Sequence, residues 1–370
     1  MAKDENESLG AFGKLFNKNV PHILESIFLS LDYDSFMTCH DVCCAWAYLF
    51  KSDSFKDGAE KLLAEKMWRQ HKLYTSVESG NIEEVNYLLS IGVDPSCRTL
   101  VEYWNSGITP LNQAAIQLLL EAGCEPKAPN VNGFTPLHKS VMMGAKDAVK
   151  SLLDAGANPN TSLLDKTAPL HSAAELGYVE ITKLLLDAGA DPKRANDTGM
   201  TPLIYAAWCH NTELVKLLVG AGSNPNDKCN NGLTALHAIA HPSSPGTAEQ
   251  DKTEVAKLLL KSGADPNAMC NDKSTPLLWA SLDGCKHTVK LLLKAGSDPN
   301  IATTDKYQMV PLHAAAYEGH TDVVKLLLDA GAHPNSTDGI GWTPLTWAIN
   351  NWNKELIEIL FKAGRANREK

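Results

Sequence analysis

The chain has 370 residues, with 34 Lys or Arg against 43 Asp or Glu and a net charge of −9 at neutral pH. That balance, with no basic run, argues against nucleic acid as the main partner, because phosphate binding needs a basic face. No apolar run approaches the roughly 20 residues that span a bilayer, so no membrane partner is expected. The start, MAKDENESLG, lacks the basic and apolar stretches of a secretory signal.

The nine cysteines (Cys39, Cys43, Cys44, Cys97, Cys124, Cys209, Cys229, Cys270 and Cys285) are scattered, and none forms a C-x-x-C pair with zinc-ligand spacing. They read as reduced thiols of an intracellular protein, cytoplasmic or nuclear. The final RANREK carries no prenylation-type cysteine.

Residues 1–18 read as a disordered tail. Residues 19–50 then read as three short helices. Leu24, Ile27, Phe28 and Leu31 fall on one helical stripe. Asp34 or Ser35 suits the cap of a second helix, and Val42, Cys43 and Trp46 share one face of a third. Such surplus apolar surface fits docking onto another protein's helices. The pattern resembles an F-box: a proline (Pro21), an I-L-x-x-I-F-x-x-L helix ending at Leu31, then V-C-x-x-W starting eleven residues later at Val42. Two departures fall on the first contact. One residue is missing between Pro21 and Ile27, and the acidic residue that usually follows the proline is absent. The resemblance implies binding to a Skp adaptor, and through it to a cullin–RING scaffold, by Pro21, Leu24, Ile27, Leu31, Val42, Cys43 and Trp46. In that face Cys43 would act as a small hydrophobe. A helical cap on the following domain would show the same stripe, although capping does not demand the V-C-x-x-W spacing. Residues 51–70, including most of KLLAEKMWRQH, look like the helix that often joins an F-box to a substrate-binding domain.

From residue 71 the sequence repeats. The tetrapeptide T-P-L-H and its variants begin at Thr109, Thr135, Ala168, Thr201, Thr234, Thr275, Val310 and Thr343, with several intervals of 33 residues. This resembles the ankyrin repeat in period and motif. Threonine caps a helix and proline takes its first position, where the missing N–H costs nothing. Small residues such as Ala173–Ala174 permit close approach of neighbouring units. A glycine turn (Gly144, Gly177, Gly284, Gly319) leads to a second apolar helix. That helix is expected to stop at a left-handed glycine: Gly156, Gly189, Gly222, Gly263, Gly296, Gly331 or Gly364. Turns such as Asn130–Gly133 form hairpin fingers. One unit cannot bury its own apolar face, so stacking supplies the core.

A weaker unit at about 71–108 keeps Leu73, Gly80, Val85, Leu88, Leu89 and Gly92 in register, making about nine units over 71–370. The predicted fold class is therefore all-α: an ankyrin-repeat solenoid preceded by a small three-helix F-box-like domain. Three irregularities stand out. The unit at 109–134 is about seven residues short, and QAAIQLLLEAG predicts one continuous helix and a bend or weak point there. A deletion in the gene model is the alternative. The unit from Thr234 carries an eight-residue excess, read as an exposed loop at 241–252. Two extra residues near 303–308 lengthen one finger.

Ankyrin repeats bind through finger tips and the concave face of the first helices. The resemblance places Phe134, Met142, Met143, Met200, Tyr205, Trp208, Trp279, Met309, Tyr317, Trp342 and Trp347 on that face. Aromatic and Met enrichment is the composition of interface hot spots. Tyr205, Trp279 and Trp347 could equally pack between repeats, whereas Trp208, Tyr317 and Trp342 read as exposed. No phosphate-binding or nucleophile-elbow motif is present. The T-P-L-H histidines recur in register and read as structural, so no catalytic residue, metal or cofactor is expected. The implied role is a non-catalytic substrate receptor of an SCF-type ubiquitin ligase that holds an unknown client protein. The rival is an ankyrin interaction scaffold with no ubiquitin role.

Overall fold

A computed structural model describes residue 69, residues 72–73, 75–77, 81–95, 113–123, 126, 129, 132–240 and 249–366. The expected tail (1–18), the F-box-like segment (19–50) and the joining helix (51–70), apart from Arg69, lie outside the described residues. The chain forms two compact units, Met1–Glu125 and Pro126–Lys370. The described residues form helices and turns, with no strand among them.

In the first unit, residues 72–73 and 75–77 are helical, followed by α1 (Ile82–Ser90). The Asn81 side chain caps α1 by accepting from the Glu84 N–H at 3.2 Å. Leu73, Val85 and Leu88 are buried, as their register predicts. The stretch from 113 forms a single helix, α2 (Gln113–Glu121), which packs against α1. No second helix fits within so short a unit.

The second unit is a run of helix pairs: α3 (Pro136–Met142) and α4 (Lys146–Asp154), α5 (Pro169–Glu175) and α6 (Val179–Asp187), α7 (Pro202–Trp208) and α8 (Thr212–Gly220). Then come α9 (Ala235–Ile239) and α10 (Glu249–Lys261), α11 (Pro276–Leu282) and α12 (Lys286–Lys294), α13 (Pro311–Glu318) and α14 (Thr321–Asp329), and α15 (Pro344–Asn350) and α16 (Lys354–Ala366). Each first helix packs on the next first helix, and each second helix on the next second helix, giving two layers. The core lies between them. The tetrapeptide leucines Leu137, Leu170, Leu203, Leu236, Leu277 and Leu312 are at most 2% exposed. Truncating such a leucine to alanine typically costs about 2–5 kcal/mol. Ala173, Ala174, Ala206 and Ala207 are fully buried, where anything larger would push the layers apart.

Two sequence expectations need revision. Helix α10 starts at Glu249, so the last residues of the 241–252 stretch are helical rather than loop, and residues 241–248 lie outside the described residues. Lys252 is buried there, its ammonium 2.5 Å from the Asp283 carboxylate in the next repeat, which anchors the start of the helix. Gly364 is not a left-handed cap. It is buried inside α16, which runs on to Ala366, and its carbonyl accepts from the Asn335 side chain at 3.0 Å. The other predicted terminal glycines of the second unit, such as Gly331 at φ +89°, do take the left-handed conformation.

Candidate interaction site

Two hydrogen-bond networks tie successive repeats from residue 165 onward and hold the first helices and the fingers in place. The first network centres on the tetrapeptide histidines. The Nδ1 atoms of His138, His171, His237 and His313 accept from the backbone N–H of the helix-capping residue, at 3.2, 3.0, 3.2 and 3.3 Å. An accepting Nδ1 fixes the neutral tautomer with its proton on Nε2. That proton points to the carbonyl of Arg194 from His171 (2.9 Å), of Ser274 from His237 (3.0 Å) and of Ser336 from His313 (3.1 Å). Burial holds His138 and His237 down to about 4, well below the usual imidazole range, and lowers His171 and His313 as well. His171, His237 and His313 are thus neutral struts between a helix cap and the next finger, whereas the buried Nε2 of His138 has no hydrogen-bond partner among the described residues.

The fingers are tied in turn. Asp197 N–H donates to the Asp165 carbonyl (2.8 Å), Asn230 to Thr198 (2.9 Å), Asn271 to Asn231 (3.0 Å) and Thr304 to Asp272 (2.7 Å). Gly339 continues the series by donating to Tyr307. Backbone bonds between successive fingers hold their tips at a fixed spacing.

On this scaffold Met142 and Tyr317 are each 45% exposed and Met143 is 38% exposed. Phe134, Met200, Tyr205, Trp208, Trp279, Met309, Trp342 and Trp347 are half-buried. Trp208 and Trp342 are thus less exposed than their positions imply; Trp342 lies against Trp347, with ring centroids 4.6 Å apart. The position-five rings pack on the preceding repeat. Tyr205 meets His171 edge-on at 6.3 Å, Trp279 meets His237 at 6.0 Å, and Trp347 meets Tyr317 at 5.0 Å. Each ring keeps part of its surface open, so it serves both the stack and the face. At the last two repeats three of the named aromatics, Tyr317, Trp342 and Trp347, make ring contacts with one another.

Several exposed apolar residues fall outside the eleven positions named from sequence. Trp352 is 87% exposed, Phe361 54%, Ile349 53% and Ile340 49%. The signal for Trp352 was legible: it occupies the turn that Gly144, Gly177, Gly284 and Gly319 take elsewhere, at φ +55°.

The Cys270 and Cys209 thiols are weak nucleophiles. Burial pushes Cys270 up to about 11 and raises Cys209. Among the described residues, no group of three His, Cys, Asp or Glu side chains is placed to hold a metal ion. No described helix is long and apolar enough to cross a membrane.

The family description "Ankyrin repeats (3 copies)" matches residues 73–162, 111–196, 161–229, 209–303, 246–338 and 301–370 in overlapping windows. The crystal structure of the human ASB11 ankyrin repeat domain is similar at 25% identity and a TM-score of 0.53, covering 62% of this chain and 98% of that one. No curated protein matches the chain. Overlapping family matches from residue 73 to residue 370, with the helix pairs, capped starts and bonded fingers they require, place the chain in the ankyrin-repeat family.

Proposed function

We propose that this ankyrin-repeat protein is the substrate receptor of an SCF-type ubiquitin ligase. Ankyrin stacks act by binding other proteins, and the half-open aromatic and methionine side chains of the first-helix face give this one a surface for a client. The ligase link rests on one observation in the sequence: V-C-x-x-W begins at Val42, eleven residues after Leu31, where an F-box places its adaptor contacts. In this reading residues 19–50 hold a Skp adaptor, and the stack carries the client to the cullin–RING scaffold. The effect is one of proximity: tethering raises the effective concentration of client lysines near the charged conjugating enzyme. The chain supplies no acid, base or nucleophile, and it would act in the cytoplasm or nucleus.

Co-purification with the Skp adaptor, beside a Leu31→Ala/Trp46→Ala double variant, tests this. Stable binding that the variant loses supports the ligase role. A folded wild type that fails to bind the adaptor leaves the second reading, an ankyrin interaction scaffold whose residues 19–50 cap the stack.

A further inference from the structure

Trp347 on α15 is the centre of an aromatic platform. Tyr317, from the end of α13, stands perpendicular to it with centroids 5.0 Å apart, and Trp342 leans on it at 4.6 Å and 58°. The Asn351 side chain donates to the Tyr317 carbonyl and so ties the two repeats at this point. Tyr317 is 45% exposed, and the two indoles are half-buried.

Beneath the platform lies a buried carboxylate. Asp338 is 6% exposed and accepts from the Trp347 indole N–H at 2.8 Å, the Trp342 N–H at 2.8 Å and the Ile340 N–H at 3.0 Å. Its own N–H donates to the Trp342 carbonyl at 2.8 Å, closing the finger. The same backbone bond closes the earlier fingers at Leu163, Asn196, Cys229, Cys270 and Thr303. All five are uncharged, whereas Asp338 uses one carboxylate oxygen for the two backbone N–H groups and the other for the Trp347 indole. A buried charge is costly unless it is matched. No described lysine, arginine or histidine nitrogen comes within salt-bridge distance of Asp338, and its donors are all neutral N–H groups. Exposed Glu318, next to Tyr317, likewise has no ion pair among the described residues.

We propose that Tyr317, Trp342 and Trp347, backed by Asp338, bind the guanidinium of an arginine in an extended segment of the client. The proposal rests on the reading of this face as a client surface and names the chemistry of what it takes. An indole whose N–H is bonded to a carboxylate has a more electron-rich face, and that face attracts a cation. The rings touch one another rather than standing apart, so they make a stepped surface and not an enclosed cage. A planar guanidinium stacks on such a surface, whereas an ammonium gains most when surrounded. The chain's net charge of −9 adds long-range attraction for a basic segment.

Titration of the full chain with a hexa-arginine and a hexalysine peptide at physiological salt, followed by indole fluorescence, tests the proposal. Hexa-arginine is expected to bind at least about fivefold more tightly. Tyr317→Ala and Trp342→Ala should each weaken it about five- to tenfold. Asp338→Asn keeps an oxygen for the Ile340 and Trp342 N–H groups, removes the charge and loses the Trp347 indole bond, so it should weaken arginine binding, with a melt of the same sample showing that the chain stays folded. Tyr87→Ala, at an exposed position on α1 in the first unit, should leave binding unchanged. Equal affinity for the two peptides, absence of binding, or arginine binding unaffected by these three variants would overturn the proposal. Adaptor co-purification does not involve this surface, so failure of the ligase reading would be seen separately.

Discussion

Asn267 donates its side-chain amide to the Gly296 carbonyl at 2.9 Å and, with the same side chain, accepts from the Asp298 N–H at 2.8 Å. Gly296 ends the second helix of the next repeat, so one asparagine satisfies two backbone groups that a helix end leaves open. Asn160, Asn226 and Asn300 do the same for Gly189, Gly263 and Gly331. The exception is Lys193, which has no oxygen to accept from the Asn224 N–H. A cavity of about 470 Å³ opens between those loops, lined by Lys193, Thr201, Asn224, Asp227 and Lys228 among others. Asn267→Ala should cost about 1–2 kcal/mol, from two bonds lost at a partly exposed site. Lys193→Asn should stabilise the stack by up to about 1 kcal/mol. Thermal melting of both variants checks the pair; a Lys193→Asn protein that melts no higher than wild type would mean the missing link is not limiting.

Stability should fall in mild acid. His138 and His237 are held at about 4 when folded, against an ordinary value of 6.5. Between those values the unfolded chain binds more protons than the folded one, so stability rises with pH there. It is fully present above about pH 7, declines as pH falls through 6.5, and levels off below about 4, with a total loss on the order of 3 kcal/mol per histidine. Urea titrations at pH 7.5 and 5 measure the drop. His237→Gln, which keeps a hydrogen-bonding side chain but cannot titrate in this range, should flatten the dependence.

Trp352 sits at φ +55°, a left-handed conformation that bulky residues disfavour, and its ring is 87% exposed, so packing offers little in return. Glycine holds the matching turn at Gly144, Gly177, Gly284 and Gly319. Trp352→Gly should therefore raise stability by about 0.5–1 kcal/mol. A differential scanning calorimetry scan would show the last repeats melting later. An earlier melt would indicate that the Trp352 ring stabilises the native chain.

Two glycines should respond unequally to alanine. Both are left-handed, Gly156 at φ +87° and Gly199 at φ +76°. A Cβ on Gly156 meets nothing within 4 Å, whereas on Gly199 it would lie 2.6 Å from Asn230 Oδ1 and 2.7 Å from its backbone nitrogen. Gly156→Ala should cost about 1 kcal/mol from backbone strain alone. Gly199→Ala should cost about 2–4 kcal/mol, because it also pries two fingers apart. Equal losses in denaturant titrations would contradict this account of the finger contact.

The repeat was legible because stacking imposes one pattern on each unit. Thr135–Pro136 or Thr201–Pro202 announces a helix start, and Gly156 or Gly331 announces a helix end, from local backbone chemistry alone. Local rules failed where a neighbour takes over. Gly364 looked like its counterparts, but α16 continues through it and the amide of Asn335 takes its carbonyl. The excess at 241–252 looked like loop, but Lys252 finds Asp283 from the next repeat and a helix is already running at that point. On the candidate face, register placed Tyr205, Trp279 and Trp347 without saying how far each sinks between repeats. That depth depends on the rings of His171, His237 and Tyr317, one repeat earlier in each case.

The sequence by itself determined the family, the order of helices and turns, and the structural role of the tetrapeptide histidines, because those follow from capping, left-handed turns and a period of 33 residues. Only the tertiary structure decided that Trp347, Trp342 and Tyr317 converge and that Asp338 lies beneath them. These residues come from two repeats, and their contact depends on how the stack brings one helix against the next.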